Sequence, residues 1–118
     1  MSDVHDQLRI RDDTDGRRYV AEIDGSVVAS ASYKARASTW IFVHTEVDDG
    51  HSGQGIGSAV ARFALDDVRA KGGRVVPICP FVAAFIKRHS EYQDLVDHEA
   101  WDGIRSRQEA RRSATPDR

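Results

Sequence analysis

Between a β-type run that ends at Val47 and a helical run that starts near Ile56, the chain reads Ser52-Gly53-Gln54-Gly55-Ile56-Gly57-Ser58. The order strand, glycine turn, helix constrains the fold more than any other stretch. Glycines at alternate positions remove the Cβ atoms that would block a ligand, and the helix behind them offers unpaired N–H groups and the positive end of its dipole. The turn therefore reads as a site for a phosphate-bearing cofactor.

What surrounds the turn is small. With 118 residues, 40% of them hydrophobic, the chain supports one domain with one modest core. Its 17 basic and 19 acidic residues leave a net charge of −2, so no global field favours nucleic acid, and nucleic acid is not expected as a partner. Cys79 is the sole cysteine, which excludes an internal disulfide and a cysteine-based zinc cluster. The opening Met1-Ser2-Asp3-Val4-His5-Asp6 has no basic start followed by an apolar stretch, and no run approaches the ~18 apolar residues of a membrane span. The expectation is a soluble, cytoplasmic protein without a membrane partner.

Residues 1–7 are polar and read as a frayed end, and Leu8-Arg9-Ile10-Arg11 reads as a short edge strand before a turn-rich Asp12-Asp13-Thr14-Asp15-Gly16. From Arg17 the alternation sharpens, with Tyr19, Ala21 and Ile23 on one face, and Asp24-Gly25 marks a hairpin into the run from Val27 to Tyr33. A turn near Ala37-Ser38 leads into Thr39-Trp40-Ile41-Phe42-Val43-His44-Thr45-Glu46-Val47, completing a three-stranded antiparallel meander. Period two along that last strand puts Trp40, Phe42, His44 and Glu46 on one face and Ile41, Val43, Thr45 and Val47 on the other.

After the glycine turn, Ile56, Ala59, Val60, Phe63, Ala64 and Val68 recur at helical spacing through Lys71, and Gly72-Gly73 supplies the stop. Val75-Val76-Pro77-Ile78-Cys79 reads as a short buried strand whose pairing Pro77 interrupts, so the sheet should splay there. Pro80 opens a second helix carrying Phe81, Val82, Phe85 and Ile86, and Tyr92, Leu95 and Val96 close the core. The fold class is α+β, with residues 1–96 as one compact domain. Residues 97–118 are charged and read as either a helical appendage or a disordered tail.

Three kinds of phosphate loop compete for the turn. A Walker-type loop needs a lysine after its last glycine, where Ser58-Ala59 stands, and is excluded. A dinucleotide fingerprint needs glycine or alanine at position 58 and an acidic residue closing the next strand, and neither is present. A coenzyme A cradle, built on one helix N-terminus after an antiparallel strand, fits the element order best.

Taken together, His44-Thr45-Glu46-Val47, Gly53-Gln54-Gly55-Ile56-Gly57-Ser58, Ala64-Leu65-Asp66-Asp67, Val76-Pro77-Ile78-Cys79-Pro80-Phe81-Val82 and His89-Ser90-Glu91-Tyr92 resemble the small GCN5-related N-acetyltransferases of the YjdJ type. The resemblance implies a reduced acetyltransferase fold that binds acetyl-CoA where the strands ending at Val47 and Cys79 diverge. Backbone near Val47 would hold the pantetheine arm, and N–H groups of Gly53, Gln54, Gly55, Ile56, Gly57 and Ser58 the pyrophosphate, with Pro80 also in the cofactor set. Ser52 stands where the family usually has Gln or Arg, which removes a side-chain contact. No metal is implied.

Acetyl transfer to an amine needs a base, a donor for the developing oxyanion and an acid for the leaving thiolate. Glu46 and His44 are the candidate bases, His44 reading equally as a strand histidine packed beside Trp40 and Phe42. Cys79, just before a helix start, reads either as a nucleophile activated by helix N–H groups or as an inert buried thiol near the thioester. Tyr92 and His89 are candidates for the acid, against a core-capping tyrosine and a helix-terminal histidine. Asp66 and Asp67 read as a solvated surface pair. The function expected is acyl-CoA-dependent N-acyl transfer, with acetyl-CoA as donor and a small-molecule or peptide amine as acceptor; the alternative is a non-catalytic coenzyme A or acyl-CoA binding module.

Overall fold

The computed structural model describes residues 7–114. The frayed start read over residues 1–7 lies, apart from Gln7, outside these, as does the last part of the charged tail. β1 (Arg9–Asp13), β2 (Arg18–Ile23), β3 (Ser26–Arg36) and β4 (Thr39–Val47) form an antiparallel meander, and β5 (Arg74–Pro77) pairs with β4 in parallel. The spatial order is the sequence order. Asp24 and Gly25 turn the β2–β3 hairpin with φ of 52° and 81°, the double positive φ whose twist matches the flanking strands.

The meander has four strands rather than three. Asp12 and Asp13, read as turn residues, continue β1 opposite Tyr19 and Arg18. Cross-sheet partners hold them in the strand: Tyr33 donates to Asp12 at 2.7 Å, and Arg18 Nε to Asp13 at 3.4 Å.

α1 (Ile56–Ala70) covers one face of the sheet, burying Ile56, Val60, Ala61, Ala64, Leu65 and Val68 against Tyr19, Ala21, Ala29, Ala31, Tyr33 and Phe42. The stripe runs through Ala61 and Leu65 instead of Phe63, which is 38% exposed and meets Tyr19 edge-on at the rim, with ring centroids 6.1 Å apart. Lys71 ends the helix and Gly72 follows at φ 72°, as a left-handed stop requires. Asp66 and Asp67 are not simply a solvated pair: Tyr92 donates to Asp66 and Tyr19 to Asp67, each at 2.7 Å. Lys71 ties Asp67 (2.7 Å) to Asp12 (3.1 Å), so the end of α1 is pinned to the edge strand.

β5 ends at Pro77, so Ile78 and Cys79, read as strand, form its exit. α2 (Pro80–Arg88) starts with proline in its first turn and packs Val82, Phe85 and Ile86 into the core. Phe81 points out at 36% exposure. A 3-10 segment, Ser90–Leu95, then buries Tyr92 and Leu95. α3 (His98–Ala114) begins where Asp97 accepts the Ala100 N–H at 3.0 Å, and Trp101 packs on the edge of the core. The charged stretch is therefore helical along most of its length, although its mean apolar content is low, because its first turns dock on β5 and the core edge.

Candidate functional site

β4 carries the site, and an irregularity in it sorts the residues. Ser32 pairs with His44, but the next residue, Tyr33, pairs with Phe42, leaving Val43 as an extra residue in a β-bulge. The bulge switches the faces. Trp40 and Phe42 point to the core under α1, and beyond it Thr45 and Val47, opposite Ala31 and Ala29, point there as well. His44 and Glu46 share a face, as alternation requires, but it is the opposite face from Trp40 and Phe42. Both are exposed, and His44 Nε2 lies 3.0 Å from Glu46 Oε2. His44 is thus not packed beside the two aromatic rings.

The parallel ladder between β4 and β5 runs from Thr39–Arg74 to Phe42–Pro77 and stops, because Pro77 has no N–H to carry it on. A last backbone bond, from Cys79 N–H to Phe42 O at 2.9 Å, precedes the turn into α2. Residues 43–47 of β4 continue alone on that side. The strands diverge where the sequence places the splay, and one side-chain contact crosses the gap: Thr45 Oγ1 to Cys79 Sγ, 3.3 Å. Cys79 is buried and directly precedes the first turn of α2, with Pro80 next. Thr45 belongs to the site for this contact; strand alternation alone gave only the face it shares with Val47.

Across the opening lies the glycine turn. Gly53 and Gly55 have φ of 82° and 77°, a conformation L side chains rarely adopt, and Gly55 caps α1 without a side-chain bond. The N–H groups of Ile56, Gly57 and Ser58 lie in the first turn, where an α-helix provides no internal acceptors. They border an open groove of about 350 Å³ lined by Val47, His51, Ser52, residues 55–58 and Phe81. A Cβ on Gly57 would stand 2.9 Å from the tip of the Phe81 ring and 3.3 Å from Val47. Absence of side chain here keeps the groove open. Gln54 turns its side chain to His51 Nδ1 (3.2 Å), and Ser52 Oγ donates to Asp49 O (3.2 Å). Ser52 therefore buttresses the turn from within.

Tyr92 stands elsewhere. Its hydroxyl donates to Asp66 at 2.7 Å and receives Arg62 Nη1 at 3.3 Å, and it lines neither the glycine groove nor the β4–β5 gap. Burial, and then the bond to Asp66, pushes its phenol above the ordinary value. His89 caps the end of α2, stacked on Phe85 with centroids 4.2 Å apart, the helix-terminal place read for it. Among the described residues, no group of three or more His, Cys, Asp or Glu is placed to hold a metal ion, and no helix is long and apolar enough to cross a membrane.

A sequence model of a family described as GCN5-related N-acetyl-transferase matches residues 18–95. Among solved structures, a GCN5-like protein from Staphylococcus aureus aligns with a TM-score of 0.60 at 20% identity, over 76% of this chain and 88% of that one. The ribosomal-protein-S18-alanine N-acetyltransferase from Escherichia coli aligns with a TM-score of 0.52 at 16% identity, over 61% of this chain and 51% of that one. This chain thus spans about half the length of the latter. At such identities the two likenesses concern the fold. No curated protein sequence matches the chain.

Proposed function

The chain belongs to the GCN5-related N-acetyltransferase family, and from that premise we propose that it transfers an acetyl group from acetyl-CoA to a primary amine in a cytoplasmic setting. One observation carries the reading: the gap between β4 and β5, bordered by Thr45 and Cys79, opens beside the free N–H groups at the start of α1. A pantetheine arm fits the unpaired edge of β4 near Val47. A pyrophosphate fits the cradle of residues 53–58, whose groove the missing Cβ of Gly57 keeps clear. Phe81 forms the wall on the α2 side, directly after Pro80 opens that helix.

When bound, acetyl-CoA supplies an activated thioester carbonyl. Glu46, exposed and paired with His44, takes the proton of the incoming ammonium, so that the neutral amine forms the new N–C bond as the C–S bond breaks. The N–H groups along the open edge of β4 face the developing oxyanion. Cys79, in contact with Thr45, flanks the leaving sulfur, which takes up the proton the acylated nitrogen sheds and departs as coenzyme A. Tyr92 has no proton-transfer part in this scheme, because its hydroxyl already serves Asp66.

The short β1–β2 turn, residues 14–17, adds no acceptor-side element, and this favours the rival reading of a binding module without turnover. Both readings expect acetyl-CoA to raise the melting temperature by linkage. Only the enzyme releases coenzyme A in proportion to added amine. Absence of any shift with acetyl-CoA or coenzyme A would overturn both. Glu46→Gln is expected to lower kcat/KM about 100-fold or more while leaving the thermal shift intact.

A further inference from the structure

On the face of the sheet opposite α1 lies a second cavity, of about 230 Å³, bordered by Arg18, Ser30, Glu46, Asp48, Val47 and residues 27–29. Ser30 and Glu46 are register partners on adjacent strands, so their side chains rise from the same spot. Ser30 is 9% exposed and lines this cavity, and its hydroxyl, open to the cavity, has no hydrogen-bond partner among the described residues. A hydrogen-bonding group bound in the cavity would find this hydroxyl ready to pair. The charges of the lining point to the sign of that group. Arg18 is engaged by Asp13 at 3.4 Å, whereas the Asp48 carboxylate makes no ion pair or cap bond among the described residues. Among the described residues Glu46 is paired only with His44. Two carboxylates thus face a cavity whose single cation already has a counter-charge.

We propose that this cavity selects the acceptor: a compact, hydrophilic primary amine whose ammonium lies between Glu46 and Asp48 and whose hydroxyl or second amino group hydrogen-bonds Ser30. The proposal rests on the reading of Glu46 as the base, since the same carboxylate closes the cavity and takes the proton. Its polar lining offers no slot for an aromatic or long aliphatic chain, and its small volume favours a free metabolite over a peptide end.

The test uses the full-length, ¹⁵N-labelled chain with coenzyme A present, titrated in turn with ethanolamine, 1,3-diaminopropane, ethylene glycol and a tripeptide with a free N-terminal alanine. Both small amines are expected to shift the amides of Ser30, Glu46 and Asp48 to saturation, and the uncharged glycol is not. Ser30→Ala and, on the exposed rim, Asp48→Asn should each weaken amine binding about fivefold and raise the amine KM to match, with the acetyl-CoA KM unchanged. Amine shifts that are absent or lie elsewhere overturn the proposal, as does a tripeptide that binds or turns over better than both amines. A separate titration with acetyl-CoA reads the amides of residues 53–58. If those do not move, the cofactor reading falls by itself, while the amine shifts still decide the cavity.

Discussion

The chain's three tyrosines have one arrangement in common. Tyr19, Tyr33 and Tyr92 donate to Asp67, Asp12 and Asp66, each at 2.7 Å. Burial first, and then the neighbouring carboxylate, raises all three phenols above their ordinary value. Their folded pKa values exceed the unfolded one of about 10, so the folded state keeps protons that the unfolded state releases. The stability they contribute is complete below pH ~10 and is lost as the pH rises from there through the folded values. Denaturant titrations should therefore show stability falling above pH ~10 by up to about 1.4 kcal/mol per pH unit for each tyrosine. Tyr19→Phe should lower neutral-pH stability by about 1 kcal/mol and remove one tyrosine's share of the alkaline slope. A slope unchanged in that variant would count against the account. None of these pairs was legible in the sequence, because the partners lie 48, 21 and 26 residues apart.

Among the elements, the strands, α1 and α2 were legible, since each has its own signal, such as Asp24-Gly25 for the hairpin, three-and-four spacing for α1 and Pro80 for the start of α2, whereas the charged stretch that forms α3 read equally as helix or tail. The faces were less so. A bulge at Val43 leaves the run of residue types unaltered but reverses which side each later residue takes, and only the register with β3 reveals it. Two glycines test how closely the elements approach. A Cβ on Gly73 would enter the Trp40 ring and stand 2.9 Å from the Ser38 carbonyl, backbone that cannot yield. Gly73→Ala should therefore cost about 2 kcal/mol and lower Tm by roughly 10 °C in a thermal melt. At Gly57 the obstacle is the tip of the exposed Phe81 ring, which can swing aside. Gly57→Ala should melt within about 3 °C of wild type, yet weaken acetyl-CoA binding about tenfold by calorimetry as the groove fills.

For the whole molecule, the open question is how far the domain depends on α3. Its attachments lie near its start: Asp97 N–H to Val75 O at 2.9 Å and Trp101 on the core edge. A chain ending at residue 96 keeps the sheet, α1, α2 and both cavities, except for the α3 side of β5. It should unfold cooperatively at a Tm lower by roughly 5–10 °C and still bind acetyl-CoA; loss of cooperative unfolding would show that α3 is integral to the core. By itself the sequence determined the glycine turn, its helix and the interruption at Pro77, because φ preference, helical spacing and a missing N–H are properties of residues and their near neighbours. Only the tertiary structure decided that Thr45 meets Cys79, that Ser30 and Glu46 share a cavity, and that Tyr92 serves Asp66. Those contacts depend on strand register and helix docking, which the chain settles only by packing its whole core at once.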